Sequence, residues 1–268
     1  MFEVLSGLSL LLYALACVAS VAGLLSRPGG QARNAACVLL ALGIISLAAL
    51  TIAGRQHLNS RAMVLIPLTA LVGLIALAVS VWYKQSVLTY SIPPASFVIV
   101  LAALLFSPGS AAVGETIAHP TLLLHIGSIA LGTGLIGIAA GAGVLFLILQ
   151  RNLKRKGKPS RLSQNIPSLA ALDKINAVCV KLGFPLYTLG ILCGFIWEKS
   201  AFGSVTAGDP KAVVSAVILV LYGLLFYARH ALGWQGRKTA RLAIIIAAAS
   251  LFSLFVVNTL FPTHHSFF

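Results

Sequence analysis

Acidic residues are nearly absent: the 268-residue chain carries five Asp and Glu against 19 Lys and Arg, a formal net charge of +14. Charge of either sign is scarce, at 9% of residues, where a soluble globular chain carries about 25%. Most of this chain therefore cannot face water. Glu3, Glu115, Asp173, Glu198 and Asp209 all fall at the edges of apolar runs. A proton or sodium relay of the usual carboxylate type, which needs an acid deep in a span, is thereby excluded. Cys17, Cys37, Cys179 and Cys193 lie singly inside apolar runs, with no Cys-x-x-Cys pair, and read as small buried hydrophobes rather than redox thiols. Phosphate-binding loops, zinc-protease motifs and nucleophile elbows are also missing. The chain itself is expected to catalyse nothing.

What is there is apolar surface, at 59% of residues, with a mean hydropathy of +1.00. About 20 consecutive apolar residues cross the hydrocarbon core as a helix, and helix is forced because lipid cannot satisfy bare backbone amides. Candidate spans run over 4–25, 34–53, 62–82, 91–106, 120–149, 178–197, 212–228 and 240–260. The expected fold is an all-α polytopic bundle of about eight transmembrane helices. A four-span region over 1–110 precedes a second four-span region over 111–268. The first run opens on Glu3 rather than a basic cluster and outlasts a signal h-region, so it reads as a span and not a leader.

Basic residues fall in the short gaps between spans, a pattern that tracks topology and not nucleic acid. With eight spans, 15 of them share one side: Arg27, Arg33, Lys84, Arg151, Lys154, Arg155, Lys156, Lys158, Arg161, Lys174, Lys181, Arg229, Arg237, Lys238 and Arg241. The other side holds four: Arg55, Arg61, Lys199 and Lys211. The positive-inside rule then places both termini outside the cytoplasm, in a bacterial inner (plasma) membrane. The longest polar segment, from Gln150 to about Asn176, is expected on the cytoplasmic side. Its basic run would hold anionic headgroups or an acidic cytosolic partner.

The same topology sorts the histidines. His57, His119, His125, His264 and His265 fall on or near the external side, and His230 on the cytoplasmic one. His125 lies five residues after Pro120, a favoured first-turn residue, and is flanked by Leu122, Leu123, Leu124 and Ile126. An imidazole in that setting faces the bundle or a cavity, either as a metal ligand or as a satisfied boundary residue. His264 and His265 follow Pro262, which ends the last span. The external connection from Trp197 to Lys211 contains Phe202 and Asp209. Asp209 before Pro210 reads as a cap-and-first-turn pair opening the seventh span, or as an acid orienting a ligand histidine.

Several ordered motifs then resemble the haem-handling cytochrome c assembly protein family. They are Pro167 to Asn176, Leu182-Gly183-Phe184-Pro185, Gly194 to Trp197, Phe202-Gly203-Ser204, Asp209-Pro210-Lys211, Gly233-Trp234-Gln-Gly236-Arg237-Lys238, and Asn258 through Pro262 to His265. The resemblance covers roughly 115–268; the first four spans match only as apolar helices. It implies that His125 and His265 ligate haem iron, as haem b, beneath an external loop rich in tryptophan. Trp197, Phe202 and Asp209 would belong to the same binding region. Here Phe202 stands for the first loop tryptophan, while Val205, Thr206 and Gly208 replace the other aromatics and Ala212 the following Glu. That departure is similar to the HemX-like branch, associated with tetrapyrrole synthesis and its regulation as well as with cytochrome assembly.

The resulting expectation is a membrane protein that handles haem at its external face in support of cytochrome c assembly. Its partners would be haem, lipid and other maturation subunits, with no nucleic acid. Two other readings remain: a regulator acting on a haem-biosynthesis enzyme through segment 150–176, and a permease for haem or a small amphipathic solute.

Overall fold

The computed structural model describes residues 2–25, 30–53, 120–154, 167–203 and 210–253, with scattered helical positions between 66 and 104. Six continuous helices occupy them: α1 (Phe2–Leu25), α2 (Gly30–Ala53), α3 (Pro120–Lys154), α4 (Leu169–Phe202), α5 (Pro210–His230) and α6 (Arg237–Phe252). Among the described residues the fold is all-α, and α1 to α5 are long and apolar enough to cross a membrane. The chain is therefore a multi-pass membrane protein. The expected spans 62–82 and 91–106 fall largely outside the described residues, as does the end of 240–260.

The helices outrun the expected spans at one place. Segment 150–176 was read as a single polar connection, yet α3 continues to Lys154 and α4 already starts at Leu169. The local cause is a cap. The carbonyl of Ser168 accepts from Leu172 N–H at 3.1 Å, and its hydroxyl accepts from Ala171 N–H at 3.3 Å. The first bond opens the helical ladder, and the second satisfies a first-turn amide that would otherwise lack a partner. Leu172 and Asn176 then turn inward, at 1% and 2% exposure. A hydropathy window sees polar residues there, not one buried face.

Contacts divide the chain into two units, Met1–Ala112 with Leu145–Leu172, and Val113–Val144 with Asp173–Phe268. In the first, α1 and α2 pack antiparallel. Ser46 donates to Ser9 Oγ at 2.9 Å, and one turn along the fully buried Tyr13 ring lies against Gly43.

In the second unit α3 and α4 run antiparallel in a steady register. His125 lies against Gly194, Ile129 against Gly190, Gly132 against Tyr187 and Leu135 against Gly183. Asn176 Nδ2 closes the row by donating to Ala139 O at 3.1 Å. Gly183, Gly190 and Gly194 on α4 and Gly132 on α3 each meet a larger side chain on the other helix. This is how apolar helices gain contact in lipid, where no hydrophobic force draws them together. Tyr222 of α5 fills the space that Gly183 leaves and makes a long bond of 3.4 Å to Gly132 O. Ile136, Val180, Leu225 and Ile246 complete a core shared by α3 to α6. Cys179 and Cys193 are buried and Cys17 and Cys37 half-buried, and none of the four is in a disulfide.

At the end of this unit where α4 starts, Arg229 of α5 forms a forked ion pair with Asp173. Nη2 stands 2.6 Å from Oδ2 and Nη1 3.1 Å from Oδ1, with the side chains 7% and 19% exposed. Nη1 also donates to Asn176 Oδ1 and Thr239 Oγ1 at 3.3 and 3.0 Å. Gly236 N–H donates to Asp173 Oδ1 at 2.7 Å. Gly236 adopts φ 66°, a conformation that favours glycine, and so turns its amide into the cluster. One carboxylate thus ties α4, α5 and the start of α6.

Candidate functional site

The opposite end of the same unit carries the histidine singled out above. Pro120 opens α3, its missing N–H costing nothing at a helix start, and this sets His125 in the second turn. The imidazole is partly buried against α4, with Nδ1 2.7 Å from the carbonyl oxygen of Gly190. A carbonyl only accepts, so Nδ1 carries the proton and the lone pair of the neutral ring resides on Nε2.

The seat for the ring is made by a missing side chain. A Cβ on Gly194 would lie 2.6 Å from His125 Nδ1 and 2.7 Å from Cε1, closer than such atoms approach. Gly190 supplies the acceptor and Gly194 the room, four residues apart on one face of α4. Gly194→Ala should therefore lower thermal stability by about 1–3 kcal/mol through overpacking and displace the imidazole. A Cβ at Gly137 meets nothing within 4 Å, so Gly137→Ala should be neutral or slightly stabilising in the same melting experiment. Equal losses at both glycines would show that the seat plays no part.

One turn beyond Gly194 the α4 face continues with Trp197 and Glu198, each 4% exposed. The structure thus brings His125 and Trp197 to the same end of the α3–α4 pair. Phe202 is the last residue of α4, with its side chain outside the described set, and Asp209 and His265 lie outside the described residues altogether. Glu198 was passed over as an edge acid. Its signal was the spacing Gly190, Gly194, Glu198, which puts it on the stripe that meets His125. The Arg229–Asp173 cluster was also missed, because its members are 56 residues apart and each reads alone as an interfacial charge.

An imidazole oriented by a backbone carbonyl through one ring nitrogen is the arrangement typical of protein-bound histidine ligands. Fold and site together define a polytopic helical membrane protein with a backbone-tethered histidine seated between glycines near one end of its bundle. The chain belongs to the cytochrome c assembly protein family: the family profile described as Cytochrome C assembly protein matches residues 33–265. The match begins well ahead of residue 115, so the early spans share the family pattern more fully than their motifs suggest.

Among similar proteins, cytochrome c biogenesis protein CcsA of Chlamydomonas reinhardtii is 29% identical over 146 residues, covering 54% of this chain and 40% of the relative. The protein of the same name from Picosynechococcus sp. is 38% identical over 111 residues, covering 40% of this chain and 32% of the relative. That of Gloeobacter violaceus is 35% identical over 96 residues, covering 36% and 28%. In each case the matching stretch spans well under half of the curated relative's own length.

Proposed function

We propose that this protein binds haem at the end of the bundle that carries His125 and hands it on in cytochrome c assembly, without catalysing attachment itself. The observation that supports this most is the tethered imidazole: Nδ1 is committed to Gly190 O and the ring is seated on Gly194. His125 and His265 would hold the iron of a haem b, and Trp197, Phe202 and Asp209 would belong to the same binding region. Paired neutral imidazoles hold haem iron without further protein chemistry. Titration of the purified protein with haem tests the reading: a low-spin absorption spectrum at one equivalent supports it, and unperturbed free-haem absorption would sink it.

The haem-bearing end would face outward from a bacterial plasma membrane. In the second unit Lys174, Lys181, Arg229, Arg237, Lys238 and Arg241 lie toward the Asp173 end, against Lys199 and Lys211 toward the His125 end. That bias favours a cytoplasmic Asp173 end. Reporter fusions at Gly203 and Trp234, which flank α5, should give opposite signals with Gly203 external. Identical signals would remove α5 as a span. Partners on the outer side would be haem and other maturation subunits. The reduced aromatic content at Val205, Thr206 and Gly208 also favours the HemX-like alternative, regulation of a haem-biosynthesis enzyme. Copurification of a cytosolic enzyme that depends on Lys154, Arg155 and Lys156 would select it.

A further inference from the structure

The outer face of α6 changes character along its length. Thr239, Ala243 and Ile246 form its buried side, and Arg237, Lys238 and Arg241 are all exposed on the side away from it. Ile245 and Phe252 continue that outer face, at 56% and 52% exposure. Arg237, Arg241 and Ile245 follow one another at four-residue steps, so cation gives way to hydrocarbon along one strip of the helix. Beside the strip, the half-buried Trp234 ring lies 5.0 Å from Lys238 Nζ. The corner that carries it is held in place: Trp234 N–H donates to Ala228 O at 2.9 Å, and Gly236 N–H donates to Asp173. Among the described residues Asp173 is the only acid at this end of the unit, and both of its oxygens are already engaged. The first turn of α6 contains no acid either, although the helix dipole favours one there. Among the described residues, then, no carboxylate pairs with these three cations.

We propose that this face holds an anionic phospholipid, with its headgroup phosphate at Arg237, Lys238 and Arg241 and an acyl chain along Ile245 and Phe252. Guanidinium and ammonium groups both bind phosphate, and basic side chains at a membrane surface attract anionic lipid. The order of the strip decides for a lipid over an acidic soluble protein. α6 turns back along α5, which is long enough to span, and shares a core with it. The helix therefore runs inward from its cations, and a bilayer molecule is what offers charge at the boundary with hydrocarbon beneath it. Trp234 marks the level, since indole settles at the membrane–water interface. Once seated, the lipid supplies the negative charge that the start of α6 lacks. It also braces the α5–α6 corner, whose Gly236 amide reaches Asp173 of α4. Neither haem nor any histidine enters this site, so it stands apart from the haem reading.

The test is native mass spectrometry of the full-length protein in detergent, titrated with phosphatidylglycerol and phosphatidylcholine of the same acyl chains. The unaltered protein should retain phosphatidylglycerol in preference. Arg237→Gln, Lys238→Gln and Arg241→Gln should each lower that preference about fivefold, and the triple variant on the order of 100-fold. The single variants carry the test should the triple variant not fold. Arg237→Lys combined with Arg241→Lys keeps both charges and should retain most of the preference. Lys199→Gln removes an exposed cation at the other end of α4 and should change it less than about twofold. An unchanged preference in the Gln variants would overturn the inference. An equal loss in Lys199→Gln would mark a general charge effect and overturn it too. A loss in the Arg→Lys pair as large as in the corresponding Gln variants would point to packing and count against it equally. Displacement of the lipid by chain-free glycerophosphoglycerol or by a soluble poly-glutamate peptide, at the concentration where phosphatidylglycerol itself competes, would remove the acyl-chain half of the site. The last of these would assign the face to an acidic protein instead.

Discussion

Replacing His125 with Ala should abolish the low-spin spectrum of the haem-loaded protein and weaken haem uptake on the order of 100-fold. Removing only the group that orients a ligating imidazole costs about 10–100-fold in metal affinity, and loss of the imidazole itself should cost at least the upper part of that range. The neighbours Leu124 and Ile126 offer no lone pair, and Ala leaves the Gly194 seat empty rather than refilled. Added imidazole should therefore restore part of the spectrum. Substitution of His265 is expected to do the same, whereas His119 and His264 should matter little. A His125→Ala protein that keeps a full low-spin spectrum would show that the ligands lie elsewhere.

A comparable loss, this time of stability, is expected at the other end of the second unit. Asp173→Ala leaves the Arg229 guanidinium, 7% exposed, without its counter-ion. Breaking one side of a buried pair costs about 3–5 kcal/mol, since a desolvated charge remains behind. The cluster should then loosen at once along α4, α5 and the start of α6, because Gly236 N–H loses its acceptor as well. Removing both charges, as in Asp173→Ala with Arg229→Met, should recover much of that cost and leave about 1–2 kcal/mol for the unpaired amide and Asn176. Thermal unfolding in detergent, read by circular dichroism, compares the three proteins. A double variant no more stable than the single one would refute the ion-pair account.

Much of this was legible because lipid imposes simple rules. The spans at 4–25, 34–53, 120–149, 178–197 and 212–228 correspond to helices α1 to α5, since a run of apolar residues of that length has no other stable form in a bilayer. His125 could be placed in the second turn from Pro120 alone. Other features depend on which faces meet, and hydropathy is blind to faces. Gly190 and Gly194 look like any glycines in an apolar run until an imidazole is found resting on them. Asp173 and Arg229 each look like a solvated charge near a membrane boundary; only the antiparallel register of α4 and α5 makes them partners. The early start of α4 was hidden for a related reason. Ser168, Asp173 and Asn176 lower the local hydropathy, although the first caps the helix and the other two point inward.

The spacing of the two polar clusters has a consequence for the membrane around them. Asp173 and Gly194 are 21 residues apart on α4, about 32 Å along a helix at 1.5 Å per residue. The hydrocarbon core of a typical bilayer is about 30 Å thick. The histidine seat and the arginine cluster therefore act as two floats set one membrane thickness apart, each at the level where polar headgroups begin. A markedly thicker bilayer would draw one of them into acyl chains, at a cost of fractions of a kcal/mol per Å until α4 changes its tilt. Acyl-chain length thus becomes a variable of the histidine site: reconstitution in long-chain lipids should disturb His125 and Arg229 together, and a host membrane of the wrong thickness would impair the protein without altering a single residue.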